Sequence, residues 1–484
     1  MDKETLSNYG WIVILVLVLA VMLALATPFG NFIASAIKST TAGLFDVNQG
    51  ALNAAGISIP GQKLEDGTGE GAQEEINLNP NDGTTPQEGD KYEYSDYIYT
   101  YGASYGGWKV SINTEVTDKN QKTYGPILES INGEPVTTLL ETFFYCQNLE
   151  VSPRIHENIT NMDSTFYGCI SLKNAPEIPS GVTNMESTFQ ECSSITAPPV
   201  LPDGVKNLHA TFGACTSLIT APTIPDAVEN VTNIFGGCTA LKTYVGSTDA
   251  DGDFSAYKIP TSHGDLTAMF YHCEQMTKAP KIPEEVYKIN NMFEGCKSLT
   301  AAPEIPENVY YMNATFKDCT QIKASPKITN VFALNETFSG CTSLVDISQF
   351  SVPGGYGSSL DKTFFKCSSL VDASSLTLPG GITSMHSTFM LCTSLQKGPN
   401  MQNMVKLTSL YWTFAGCESL KTAPLLTNCF KLTNIESAFS GCKSLTGSLT
   451  LGTTPTKYEN CLYQTQITEI LGNCNNKTAI LSTK

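Results

Sequence analysis

Sixteen cysteines, five histidines and one tight run of aspartates are the residues of this 484-residue chain whose types could do chemistry. Thirteen of the cysteines, at 146, 169, 192, 215, 238, 273, 296, 319, 341, 367, 392, 417 and 442, recur mostly at spacings of 22, 23, 25 or 26 residues. No Cys-x-x-Cys occurs, so zinc lacks its usual ligand spacing. Equivalent residues of stacked coils lie about 4.8 Å apart with parallel side chains. A disulfide wants Cβ atoms about 3.8 Å apart and facing each other. The regular cysteines therefore read as small buried apolar residues whose thiols are weak hydrogen-bond donors. Any bridge would fall to the off-phase Cys429, Cys461 and Cys474.

The aspartates are Asp249, Asp251 and Asp253, three carboxylates on alternate positions. Calcium takes such oxygen ligands, which makes it the candidate cofactor here. The EF-hand register is not met: Gly252 falls at the fourth loop place and Pro260 at the twelfth. A solvated acidic loop is the competing reading. His209 and His386 share one phase with Asp163 and Glu186, six residues before a cysteine, which marks a solvated slot. His272 adjoins Cys273, but no third group orients the pair. No nucleophile elbow, phosphate loop, dinucleotide fingerprint or His-Glu-x-x-His is present, so no catalytic residue is assigned and the chain is not read as an enzyme.

The elements that position these residues follow from the period. Counting from each cysteine, apolar residues sit three on (Leu172, Ile195, Leu218), nine on (Ile178, Leu201, Ile224), thirteen on (Val182, Val205, Val228) and sixteen on (Met185, Leu208, Val231). A phenylalanine stands three before the next cysteine (Phe189, Phe212, Phe235). One such unit cannot bury its apolar set alone, whereas a stack of them can. The expected fold is a β-rich solenoid, a parallel β stack of about thirteen coils of 22–26 residues.

The pattern Thr-Phe-x-x-Cys-x-Ser-Leu, then Ile-Pro-x-x-Val, then the next Thr-Phe resembles the BspA-like class of leucine-rich repeats, from about Leu139 to Leu445. The resemblance implies a curved parallel-β solenoid and a surface protein associated with adhesion to matrix proteins and other cells. The chain departs from the family pattern at its Ala-Pro pairs (Ala175-Pro176, Ala221-Pro222, Ala279-Pro280, Ala302-Pro303, Ala423-Pro424). Proline removes a ladder N–H, so strands of two or three residues with a bulge at the proline are expected there.

The remaining segments divide as follows. Residues 1–38 carry the uncharged run Gly10 to Ala26, read as a transmembrane anchor, with cleavage after Ala26 or a pilin-like assembly helix as the alternatives. Residues 39–61 form a juxtamembrane stretch, and 62–91 an acidic disordered linker. Residues 92–138 alternate apolar and polar residues and read as a β-rich N-terminal cap, or as a small aromatic binding module (Tyr97, Tyr99, Tyr101, Tyr105, Trp108). The solenoid occupies 139–445, and 446–484 holds a degenerate coil and the C-terminal cap. The 35-residue interval from Cys238 to Cys273 is expected to protrude as one loop.

A net charge of −17 excludes nucleic acid as a partner, since that needs a basic footprint. The functional expectation is a cell-surface adhesin or binding protein, anchored in the membrane by its N-terminal helix and recognising an extracellular protein or glycan over the solenoid. The alternative is a pilin-like structural subunit of a surface filament.

Overall fold

Each coil closes on the stretch that leads into its cysteine, and hydrogen-bond accounting over that stretch explains its sequence. The computed structural model describes residues 77–248, 251–260, 264–352 and 359–484. From Met162 to Cys169 every backbone N–H is used. Those of Met162, Ser164, Phe166 and Gly168 donate to carbonyls of the following coil (Asn184, Glu186, Thr188, Gln190). Those of Thr165, Tyr167 and Cys169 close turns within the coil, and that of Asp163 donates to the Asn161 side chain. Alternating between neighbours in this way requires left-handed backbone twice per coil, five residues and one residue before the cysteine (Ser164 φ 51°, Gly168 φ 71°). Left-handed backbone is costly for residues with a Cβ, and glycine takes the second place in six coils (Gly168, Gly237, Gly295, Gly340, Gly416, Gly441). The same pair recurs before every in-phase cysteine, and once more before Thr465.

The three fixed letters of the motif fill the interior. The threonine donates to a carbonyl of the preceding coil, as Thr188 Oγ1 does to Met162 O at 2.8 Å and Thr413 Oγ1 to Met385 O at 2.8 Å. The phenylalanines from Phe143 to Phe439 stack ring on ring, with centroids 5.3 to 6.1 Å apart. Each in-phase cysteine from Cys169 to Cys442 donates its thiol to the phenylalanine carbonyl of the preceding coil, at 3.0 to 3.4 Å. All sixteen cysteines are free and buried. Burial pushes the thiols up, Cys215 and Cys442 to about 12. The proline of Ile-Pro-x-x-Val uses the one backbone group it retains: Pro179 O accepts from Val182 N at 3.1 Å, and Pro306 O from Val309 N at 3.1 Å.

The parallel ladder does not run beside the Ala-Pro pairs. It is one residue wide and passes through Thr138, Asn161, Asn184, Asn207 and Asn230, resuming at Asp265, Lys288, Tyr311 and Ala333. Near the prolines, among the described residues, the short paired strands are Thr220–Ala221 and Thr243–Tyr244, the first stopping at Pro222; other rungs there are isolated bridges. The missing proline N–H thus reduces the ladder further than the bulge expected from sequence.

The N-terminal sheet runs in the order β1 (Lys91–Tyr94), β2 (Tyr97–Gly102), β3 (Gly107–Ile112), β5 (Glu134–Thr138), β4 (Ser130–Ile131). Strand β5 pairs in parallel with β3 and then supplies the first rung, with Thr138 bridging Asn161. Tyr97, Tyr99 and Trp108 are buried in this sheet's core, and Trp108 Nε1 donates to Ile131 O at 3.1 Å. They are therefore not an exposed binding module. Residues 77–90, expected in the linker, lie on this sheet: Glu129 N donates to Leu78 O and Asn132 N to Pro80 O. Local side-chain bonds such as Gly83 N to Asn81 Oδ1 and Thr84 N to Asp82 Oδ1 hold this polar stretch without a core of its own. The rest of the linker, the juxtamembrane stretch and the apolar N-terminal run lie outside the described residues. Among the described residues no helix is long and apolar enough to cross a membrane.

The chain ends on two parallel strands, Thr446–Leu451 and Gln466–Gly472, and a short helix, Lys477–Leu481. Between the strands lies a further coil with its motif reversed. Cys461 stands where other coils carry threonine, and Thr465 where they carry cysteine. Cys429 lies off the cysteine phase, as expected, in a place of its own: the turn Leu426–Cys429 repeats the turn Met401–Met404 one coil earlier. The long interval after Cys238 is likewise more than a protruding loop. Phe254, Tyr257 and Ile259 are buried, Phe254 meets Phe270 edge-on at 5.8 Å, and Tyr257 donates to Pro222 O at 2.9 Å.

Candidate interaction surface

One surface column changes chemistry in the middle of the stack. The residue just before the ladder position is threonine in many coils (Thr137, Thr160, Thr183, Thr383, Thr408, Thr433, Thr456), each N–H bonded to its counterpart one coil back where both are described. The hydroxyls make the same step, as Thr408 Oγ1 does to Thr383 O at 2.9 Å. In three consecutive coils the column holds Tyr287, Tyr310 and Phe332 instead. Tyr287 and Phe332 are 45% and 50% exposed, and Tyr311, in the adjoining ladder column, is 46% exposed. The rings of Tyr310 and Phe332 stack at 5.7 Å and 20°. Tyr287 lies over Gly264, where an added Cβ would come within 2.4 Å of the ring. Scattered exposed apolar residues are ordinary, but a contiguous patch marks a contact surface.

The turns that lead into this stripe frame a groove of about 410 Å³ lined by Ala302, Pro303, Glu304, Ile305, Pro326 and Lys327. A smaller hollow of about 140 Å³ adjoins it, sharing Glu304, Ile305 and Glu307 and adding Lys281, Ile282 and Glu284. The floor is apolar and the rim charged, the division that lets a surface bury a side chain while orienting it through its polar edge. The stripe was not picked out from sequence, although aligning the coils displays the signal: Val-Tyr, Val-Tyr and Val-Phe stand where a Val, Ile or Leu followed by Thr is common.

The chemistry-bearing residues singled out from sequence are dispersed. Asp253 accepts from Lys278 Nζ at 2.5 Å and from Ser255 N at 2.9 Å, and the lysine foremost holds its carboxyl down at about 2. Asp251 O accepts from Thr277 Oγ1 at 2.8 Å, while Asp249 lies outside the described residues. Among the described residues no group of three or more His, Cys, Asp or Glu side chains is placed to hold a metal. His209 Nδ1 lies 2.7 Å from Thr232 Oγ1, and His386 packs beside Tyr411 at 5.0 Å. His156 is buried at the joint between the cap and the first coil, with Nε2 2.6 Å from Ile127 O and Nδ1 3.0 Å from Glu129 Oε1.

Comparison with known proteins accords with this architecture. The profile of the BspA type leucine rich repeat region matches in 6 copies, over residues 130–246, 266–396, 334–446 and 359–480. No curated protein matches. A leucine-rich repeat protein from Bacteroides ovatus is similar in structure, at 20% identity and a TM-score of 0.50, over 74% of this chain and 94% of that one. A leucine rich cell surface protein from Faecalibacterium prausnitzii matches at 20% identity and a TM-score of 0.47, over 83% and 98% of the two chains. With the threonine, phenylalanine and cysteine of each coil accounted for and most of the stack matched, the chain belongs to the BspA-type leucine-rich repeat family.

Proposed function

We propose that this protein is a cell-surface binding protein that recognises an extracellular protein through the stripe Tyr287, Tyr310, Phe332 and Tyr311. The observation that carries the reading is the replacement of a self-satisfied threonine column by aromatic rings in consecutive coils, exposed at Tyr287 and Phe332 and half-buried at Tyr310. Such rings supply large contact area at low side-chain entropy, and aromatic residues dominate interface energetics. A polypeptide suits the surface better than a glycan, because Tyr310 and Phe332 turn their faces toward each other and leave edges outward. Display at the surface follows from the family resemblance, and retention from the apolar run Gly10 to Ala26 acting as a membrane anchor.

The test is adhesion of the full chain, displayed on cells, to immobilised extracellular matrix proteins. Tyr287→Ser, Tyr310→Ser and Phe332→Ser together should weaken binding at least about tenfold, the loss of roughly 1.4 kcal/mol. Thr383→Ser with Thr408→Ser should leave it unchanged. Equal adhesion by the aromatic variant and the parent would overturn the assignment.

A further inference from the structure

A second aromatic cluster sits at the start of the stack, and its charge differs from the rest of the surface. Phe144, Tyr145 and Tyr167 pack together with ring centroids 4.8, 5.0 and 5.3 Å apart. Tyr145 is 45% exposed, and its ring lies over Gly168, where a Cβ would come within 2.6 Å of it. Tyr167 donates its hydroxyl to Glu191 Oε1 at 2.8 Å, which fixes a carboxylate at the edge of the cluster. The turn that carries Phe144 starts at Glu141, whose carbonyl accepts the Phe144 N–H.

From Glu141 a row of carboxylates runs up the stack, one per coil: Glu141, Asp163, Glu186. Backbone bonds set the alignment, Glu141 N to Asp163 O and Ser164 N to Glu186 O. The three are close enough that, after burial, the charges of Glu186 and Glu141 help hold the Asp163 carboxyl above the usual carboxylate range. Elsewhere, carboxylates facing the next coil take a lysine from it, as in Lys173–Glu150, Lys278–Asp253, Lys297–Glu274, Lys397–Asp372 and Lys443–Glu418. Among the described residues, Glu141, Asp163, Glu186 and Glu191 form no ion pair.

We infer that the platform of Phe144, Tyr145 and Tyr167, with the carboxylate row beside it, docks a lysine- or arginine-rich polypeptide segment of a partner. Each half of the surface attracts the same chemistry: ring faces accept cationic side chains and pack against their aliphatic stems, and carboxylates without an ion-pair partner complement positive charge and exclude acidic partners. A row is suited to a chain rather than to a point cation. Three rungs about 4.8 Å apart match the length of about three extended residues at about 3.3 Å each. The site is independent of the mid-stack stripe.

The experiment is titration of the full chain with decalysine, and with decaglutamate as control, by calorimetry at low and physiological salt. Decalysine should bind and decaglutamate should not. The triple variant Glu141→Gln, Asp163→Asn, Glu186→Gln should weaken binding about tenfold or more, and Tyr145→Ser, which changes no charge, about threefold or more. A charge-matched control at exposed carboxylates of other coils, Asp203→Asn, Glu459→Gln, Glu469→Gln, should stay within about twofold of the parent. Melting curves establish that each variant is folded. Equal weakening by the two triple variants would assign binding to net charge and overturn the site. An unchanged affinity in Tyr145→Ser would remove the aromatic platform from it.

Discussion

Truncation of one ring in the phenylalanine column tests the stacking logic most directly. Phe189 is fully buried between Phe166 and Phe212, with centroids at 5.6 and 5.8 Å and planes within 2° and 10°. Phe189→Ala removes the ring and leaves a cavity that a covalently continuous column cannot collapse to fill. Such truncations cost about 3–5 kcal/mol, which already includes the roughly 0.5–1.5 kcal/mol of each ring pair. The backbone bonds at the site remain available: Phe189 N still faces Thr211 O at 2.9 Å, and Phe189 O still accepts from Cys192 N and from Cys215 Sγ, each at 3.0 Å. The damage should therefore be to packing and stay local, because each coil is coupled only to its neighbours. Hydrogen exchange reads this amide by amide. The N–H groups of Phe166, Phe189 and Phe212 should exchange about two to three orders of magnitude faster, at about 1.4 kcal/mol per tenfold. Phe414 N, bonded to Ala438 O at 2.8 Å far along the stack, should keep its protection. Equal acceleration at Phe414 would refute nearest-neighbour coupling and make the solenoid one global cooperative unit.

Thiol titration without reductant should find sixteen free thiols after denaturation and almost none reactive at pH 8 in the folded chain, since burial disfavours the thiolate throughout the column; several disulfides would contradict the column. The Asp253–Lys278 pair lowers the folded carboxyl from 3.8 to about 2, so its stabilising share is complete above 3.8 and is lost as pH falls through about 2. In Lys278→Met the Asp253 carboxyl titration, followed by NMR, should move back up toward the ordinary range, and an unmoved midpoint would show that Ser255 alone holds it. Chelator should leave the melting temperature unchanged, because a cation would have to displace Lys278 from Asp253. A drop abolished by Asp251→Asn would instead establish calcium at Asp249, Asp251 and Asp253. His156→Leu should cost about 1–3 kcal/mol by leaving Ile127 O without its donor at the cap joint, measured as faster exchange in residues 127–132.

What was legible in the sequence was whatever the period repeats. The cysteine, phenylalanine, valine and methionine phases all point inward because a stack can bury one face only by repeating it. What was obscured were substitutions that preserve a physical function while changing the letter. Cys461 and Thr465 exchange two donors, and Cys429 fills the place of Met404. The interval after Cys238 was read by its excess length, although Phe254, Tyr257 and Ile259 already carried a core signature. Residues 77–90 were read by charge and glycine content, which reports the lack of a core but not the local side-chain bonds that hold the backbone. The stripe was missed for a different reason: it breaks the repeat, and a reading tuned to recurrence passes over departures from it.

Those departures are where function and framework have to be reconciled. In most coils the ladder residue is Asn, Asp or Ser, and its side chain accepts the N–H two residues on, as Asn161 does from Asp163 and Ser409 from Tyr411. Where the aromatic stripe runs, the ladder residues are Lys288, Tyr311 and Ala333, none of which offers that acceptor. The N–H groups two residues on lose their usual same-coil partner there. The same coils carry Asn290, Asn313 and Asn335 two residues later, and these bond from coil to coil: Asn313 N to Asn290 Oδ1 at 2.8 Å, Asn335 N to Asn313 Oδ1 at 3.0 Å. The asparagine stands two places along the chain, and for Asn313 and Asn335 the acceptor comes from the previous coil rather than the same one, with the N–H still satisfied. The ladder position is thereby released to carry Tyr311 beside Tyr310. The asparagine column thus lets the framework accept the aromatic stripe with the turns of the Asn313 and Asn335 coils still capped.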